Sequence, residues 1–146
     1  MKTLLGIVLS IFSLQLLAQN DPLCKDLNTQ NLKELNQTEY TSDGKFYAFK
    51  LNEGEKMDIY KPFYSSKEYC IMVSCEDCLP GVEVTLLNMD KTIVFASKEP
   101  QQKVEINYKP QKNQNLIISL TIGKNPIASN TKSINKGCVS MIVGYK

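Results

Sequence analysis

Lys103-Val104-Glu105-Ile106-Asn107-Tyr108 alternates polar and apolar side chains over six residues. Successive strand residues point to opposite faces, so this stretch predicts a half-buried strand. Val104, Ile106 and Tyr108 face inward; Lys103, Glu105 and Asn107 face outward. Downstream, 109–115 is a polar loop with Pro110, and Leu116 to Ile122 is a near-continuous apolar run of the kind a sandwich core requires. A polar loop over 123–137 leads to a last strand, Cys138 to Tyr145, with Val139, Met141, Val143 and Tyr145 on one face. Upstream, Thr92 to Ser97 reads as a buried β-rich run, entered from a turn at Met89-Asp90-Lys91. Val82 to Met89 follows a Pro80-Gly81 turn, with Val82, Val84 and Leu86 inward. Tyr69 to Cys75 sets Ile71 and Val73 against Cys70 and Met72.

The same alternation continues toward the N-terminus. Lys56 to Tyr60 turns Met57 and Ile59 inward, and Pro62 ends this strand or marks an edge. Lys45 to Leu51 sets Tyr47, Phe49 and Leu51 on one side and Phe46 and Ala48 on the other. Thr41-Ser42-Asp43-Gly44 is a turn before it. Residues 23–36 are the helical candidate, with Leu23, Leu27, Asn31 and Leu35 on one face and Leu32 beside them. About eight short strands at this spacing predict an all-β chain folded as a single antiparallel β-sandwich with a short N-terminal helix.

Residues 1–18 stand apart. Met1-Lys2 is a positive start, Leu4 to Leu17 is almost wholly apolar, and Leu16-Leu17-Ala18 ends in a small residue. This is the order of a secretory signal peptide, with cleavage expected after residue 18 or 19. A buried helix would need a polar face, and only Ser10, Ser13 and Gln15 interrupt the run. The run is also shorter than the ~20 residues of a membrane span. Leu23 before Cys24 does not fit a lipid-anchor signal. The expected organisation is therefore a leader (1–18), an N-terminal segment (19–44) and the sandwich (45–146). The chain is expected to be exported, periplasmic or secreted, with no transmembrane segment.

Composition works mainly by exclusion. The 146 residues include 17 Lys, no Arg and no His, against 15 acids. Without imidazole, Ser-His-Asp and Cys-His catalysis within the chain is excluded, as are zinc sites that need histidine. Loss of Lys2 with the leader brings the net charge to +1. Lys residues are spread without a block, so nucleic acid is not an expected partner.

The five cysteines, Cys24, Cys70, Cys75, Cys78 and Cys138, all follow the leader. In an oxidising compartment they predict two disulfides and one free thiol. Cys75 with Cys78 across the turn and Cys24 with Cys138 across the termini are the disulfide candidates, which leaves Cys70 free. Cys24 with Cys70, or Cys70 with Cys138, stays open as an alternative. A redox reading of Cys75-Glu76-Asp77-Cys78 is opposed by the two acids, which raise thiol pKa values, and by the absence of a following helix. A four-cysteine zinc site lacks a second close pair.

Phe46-Tyr47-Ala48-Phe49 running into Leu51-Asn52-Glu53-Gly54-Glu55 resembles the opening of bacterial pre-peptidase C-terminal-type domains. Val84 to Ser97 is similar to that family's next feature, two apolar strands about a short polar turn. Leu116 to Ile122 stands where the family has a late "tyrosine-x-valine" strand, without its usual Gly-Thr-Tyr lead-in. The resemblance covers residues 45–122. It implies a jelly-roll-like sandwich in an accessory or binding role, and no calcium ligand of the family maps onto this chain. The ending Lys136-Gly137-Cys138-Val139 also looks like that of small secreted bacterial proteins.

Three clusters remain as site candidates. Glu76 and Asp77 in one loop have the chemistry to contribute to a Ca²⁺ site, although paired acids in a turn are more often solvated. No cofactor is otherwise implied. Glu53, Glu55 and Asp58 are close in sequence but spread over different faces, so no carboxylate pair for glycoside hydrolysis stands out. Tyr60, Phe63, Tyr64 and Tyr69 flank Lys61-Pro62 and Ser65-Ser66-Lys67, and exposed aromatics there would suit a partner surface. The plainer alternative is that the rings fold onto the end of the sandwich. The sequence thus points to a non-catalytic binding or accessory protein. Its expected partner is an envelope or extracellular glycan or protein, met by loops 61–69 and 123–136. A structural envelope component is the alternative, and a carboxylate-only hydrolase is weakest.

Overall fold

The computed structural model describes residues 23–125 and 134–146. The expected leader and most of the 123–136 loop lie outside the described residues. The elements are α1 (Lys25–Leu35), β1 (Thr41–Asn52), β2 (Lys56–Phe63), β3 (Tyr69–Cys75), β4 (Val82–Asn88), β5 (Ile93–Ala96), β6 (Lys103–Tyr108), β7 (Gln114–Ile122) and β8 (Lys136–Tyr145). They form two four-stranded sheets, ordered β1-β8-β3-β6 and β2-β7-β4-β5. Every pairing is antiparallel. The ladders β1–β8, β2–β7, β3–β6 and β4–β5 nest inside one another, as in a long hairpin rolled so that β8 meets β3 and β7 meets β4. That is the jelly-roll form of the expected sandwich.

Period-two alternation supplies the core. Ile71, Val73, Val84, Leu86, Val104, Ile106, Ile118, Leu120, Met141 and Val143 all lie in one buried cluster between the sheets. β3 and β8 also carry apolar side chains on their other face, around Ser74 and Ser140, and α1 covers that face. Leu35, Cys70, Met72 and Ile142 form a second small core, with Leu32 and Tyr40 against it. This is why β3 is buried at every position.

A polar clasp seats the helix. Asn31, 1% exposed, donates through Nδ2 to Ser140 Oγ at 3.2 Å and accepts at Oδ1 from Ser74 Oγ at 2.6 Å. Ser140 Oγ donates in turn to Asn28 Oδ1. Lys103 on β6 pairs with Glu34 of the helix. Asn31→Ala leaves two buried hydroxyls short of a partner, so a loss of about 1–3 kcal/mol is expected in urea unfolding. An unchanged midpoint would show that apolar packing alone holds the helix.

Two local expectations are corrected. Thr41-Ser42-Asp43-Gly44 is not a turn before β1; β1 begins at Thr41 and carries a register shift between Ser42 and Phe46. Gly44 takes φ 79° there, and Asp43 reaches Lys61 on β2 at 2.6 Å, so turn-forming residues build a bulge inside a longer strand. Residues 92–97 are not a buried run: all four residues of β5 are exposed. β5 is an edge strand, so one side lacks a neighbouring strand to bury it. β2 is also an edge strand and runs through Pro62 to Phe63, as an edge permits.

Candidate functional site

The two outer faces of the sandwich differ. α1 packs on β8, β3 and β1, which covers the first sheet. Among the described residues no helix lies on the second. Its register lines up one apolar row across four strands: Tyr60 opposite Ile117, Ile117 opposite Leu87, and Leu87 opposite Ile93. The middle of the row is closed, with Ile117 and Leu87 at 1% and 8% exposure, while Tyr60 and Ile93 at its ends stand at 61% and 68%. The next row is polar on three strands, Asp58, Ser119 and Thr85, and ends in Ala96. Asp58 lies between two cations, with Lys56 Nζ at 3.6 Å and Lys91 Nζ at 3.7 Å. Its Oδ1 accepts no hydrogen bond. Met89, Val94 and Phe95 extend the exposed apolar surface around the β4–β5 turn. Two clefts sharing Asn88, Lys112 and Gln114 flank that turn, one reaching Val94 and the other Met89.

The aromatic set proposed from the sequence divides. Phe63 is fully buried and meets the rings of Tyr69 at 4.7 Å and Tyr108 at 5.6 Å edge-on. Tyr69 is buried too, and its hydroxyl accepts the Tyr64 N–H at 2.9 Å. These two rings close one end of the core, while Tyr60 and Tyr64 remain exposed. Phe63 is three positions on from Tyr60, an odd step, so strand alternation sends them to opposite faces. The loop between β2 and β3 is pinned rather than presented. Ser65 N and Oγ bond Asn113 Oδ1, and Glu68 and Lys146 exchange main-chain hydrogen bonds. The apolar row itself was not legible in the sequence, because Ile117, Leu87 and Ile93 meet only through cross-strand register. The one local signal was a short β run bracketed by Lys91 and Lys98, the usual protection of an exposed edge.

Of the two disulfide candidates, one is present and the other is not. Cys24 is bonded to Cys138, with Cα atoms 5.5 Å apart. Cys75 and Cys78 are not bonded to each other, and Cys70 is free as well. The Cys75 side chain belongs to the core, where its Sγ meets Gln102 Oε1 at 3.3 Å. Cys78 is exposed and faces Lys136 O at 3.7 Å. The turn that was expected to join them instead sends them to different surroundings. Burial raises the Cys75 thiol to about 11, helped by Cys78, Asp77 and Glu76. Burial and then Glu105 raise Cys70 to about 11. Both stay protonated through the mildly alkaline range. Iodoacetamide at about pH 8.5, where an ordinary thiol is half ionised, should therefore label Cys78 alone in the folded protein. Cys70 and Cys75 should follow only on unfolding. Early labelling of either would contradict this burial.

Glu76 does not stand free to bind an ion. Its Oε2 accepts the Cys138 N–H at 2.6 Å and so ties the β3–β4 loop to the start of β8. Among the described residues no group of three His, Cys, Asp or Glu side chains is placed to hold a metal. The other carboxylates have separate tasks: Glu53 accepts from Asn135 and Glu55 from Asn52. The Asn52 bonds keep Glu55 below the ordinary carboxylate range.

Fold and surface together define a jelly-roll sandwich with one outer face covered by α1 and, among the described residues, no helix on the other. No protein-family model matches the sequence, and no curated protein matches it. Among solved structures the chain is similar to PliG of Aeromonas hydrophila, a periplasmic inhibitor of g-type lysozyme. The likeness covers 74% of this chain and 89% of that one, at 4% identity and a TM-score of 0.47.

Proposed function

We propose that this is an exported, non-catalytic binding module whose partner at the cell envelope or beyond docks on the outer face of the β2-β7-β4-β5 sheet. The observation that carries the reading is the apolar row whose two ends, Tyr60 and Ile93, are exposed on a face that α1 does not cover. Ile93 with Met89, Val94 and Phe95 groups exposed apolar side chains beside polar ones, as interaction surfaces do. The Cys24–Cys138 bond supports an oxidising destination, as does the signal-peptide pattern of residues 1–18. The resemblance of residues 45–122 to pre-peptidase C-terminal-type domains supports an accessory role.

Photo-crosslinking in the producing cells tests this reading. A photoreactive residue replaces Tyr60, Ile93 or, as a control on the covered side, the exposed Lys33 of α1. A discrete adduct from positions 60 and 93 and none from 33 is expected. The same adduct from all three positions, or from none, would refute the assignment of this face.

A further inference from the structure

We infer that the open end of the sandwich, where β4, β6 and β7 meet, binds a sugar that carries a carboxylate. The inward-facing positions of these strands show why. They run Val84, Leu86, Asn88 on β4 and Val104, Ile106, Tyr108 on β6. On β7 they run Leu120, Ile118, Leu116, Gln114. The apolar members of each row lie in the core, and the residue at the open end carries a polar group. Asn88, Tyr108 and Gln114, drawn from both sheets, line one cleft of about 620 Å³, a volume within the range of small-ligand sites. Phe63 braces the Tyr108 ring edge-on at 5.6 Å.

The polar atoms of the cleft are held in place before any ligand arrives. Gln114 Nε2 donates to the Tyr108 hydroxyl at 2.7 Å, and Asn88 Nδ2 donates to Thr92 Oγ1 at 2.8 Å. Each amide is anchored through its NH₂ group, and among the described residues neither side-chain carbonyl oxygen accepts a hydrogen bond. The Tyr108 hydroxyl accepts from Gln114, so its own proton is free to donate. Two fixed acceptors and a fixed donor suit sugar hydroxyls, which both give and take hydrogen bonds. A ligand ammonium would call for a carboxylate, and no Asp or Glu lines this cleft, whereas two lysines do. Lys109 is held by Glu68 at 2.8 Å, and Lys112 has no acidic partner among the described residues. Lys112 is thus the cation that a ligand carboxylate would meet. Exposed Val94 gives an apolar wall for the C–H face of a sugar ring. A second cleft shares Asn88, Lys112 and Gln114 and leads on past Asp90, whose Oδ1 accepts from Thr92. A saccharide longer than one unit has room to continue there.

This inference does not rest on the docking face proposed above, since the cleft opens between the sheets and its test uses the purified chain alone. Failure here would leave adducts from positions 60 and 93 untouched. The test is an NMR titration of the isotope-labelled chain with sodium glucuronate, sodium galacturonate and sodium N-acetylneuraminate. Glucose supplies hydroxyls without charge, and sodium acetate supplies charge without hydroxyls. At least one acidic sugar should move the amide signals of Asn88, Tyr108 and Gln114 with a Kd on the order of 1 mM, as ordinary ligand efficiency gives for a monosaccharide. Glucose and acetate should each bind at least roughly tenfold more weakly, because each lacks half of the contacts. Lys112→Gln should bring the acidic sugar to the level of glucose. Gln114→Glu, which sets a carboxylate in the cleft, should abolish its binding, and Lys33→Gln on α1 should change nothing. Unmoved signals from β3 and β8 in each variant would show that the fold is kept. No movement of the cleft signals with any of the three acids at about 10 mM would overturn the inference. So would acetate binding as tightly as the sugars, glucose binding as tightly as the acids, or Lys112→Gln without effect.

Discussion

Opening the Cys24–Cys138 bond is expected to destabilise the protein more than any other single change considered, by up to about 5 kcal/mol. The bond spans 114 residues of sequence and so closes nearly the whole described chain into one loop. In the chain-entropy model that constraint acts on the unfolded state and grows with the logarithm of loop length. The cross-link also holds the start of α1 against the start of β8, so its loss frees the helix that covers Cys70, Met72 and Ile142. Urea unfolding of Cys24→Ser with Cys138→Ser, compared with the oxidised parent, measures the effect. The midpoint should fall sharply. A shift worth less than about 1 kcal/mol would mean that helix packing and the Asn31 clasp hold the termini without the bond.

The second large effect is Phe63→Ala, expected to cost about 3–5 kcal/mol, the usual range for deleting a buried aromatic ring. Phe63 is fully buried at the end of the core and stacks edge-on against Tyr69 and Tyr108. Its removal leaves a cavity that two tyrosines, each tied by a hydroxyl hydrogen bond, are poorly placed to fill. Tyr60→Ala, three residues away and exposed, should change stability by no more than about 0.5 kcal/mol. If both substitutions cost the same, the division of the aromatic set into a core pair and a surface pair would be wrong. Thermal melts of the two variants decide it.

Strand identity was legible because it is a local property. β3 and β6 fall at the bounds that alternation predicts, and the inward residues of β4 and β8 are those expected from period two. The helix was legible from the same kind of pattern at a different spacing. Asn31 shares its apolar face with the leucines, and it is the residue that clasps Ser74 and Ser140. Its role depends on two hydroxyls from distant strands. Pro62 left two readings open, strand end or edge, and the sheet order decides for the edge, because edge position is a property of the sheet.

The sequence by itself determined the all-β class, the inward and outward sets of most strands, and an N-terminal helix with one apolar face. Alternation and helical spacing are written residue by residue, and burying apolar surface enforces them locally. The tertiary structure alone decided which cysteine meets which, that 93–96 is exposed, and that Tyr60, Ile117, Leu87 and Ile93 share a row. Each of these depends on how strands far apart in sequence are ordered and registered. A one-residue slip between neighbours would move every side chain to the opposite face.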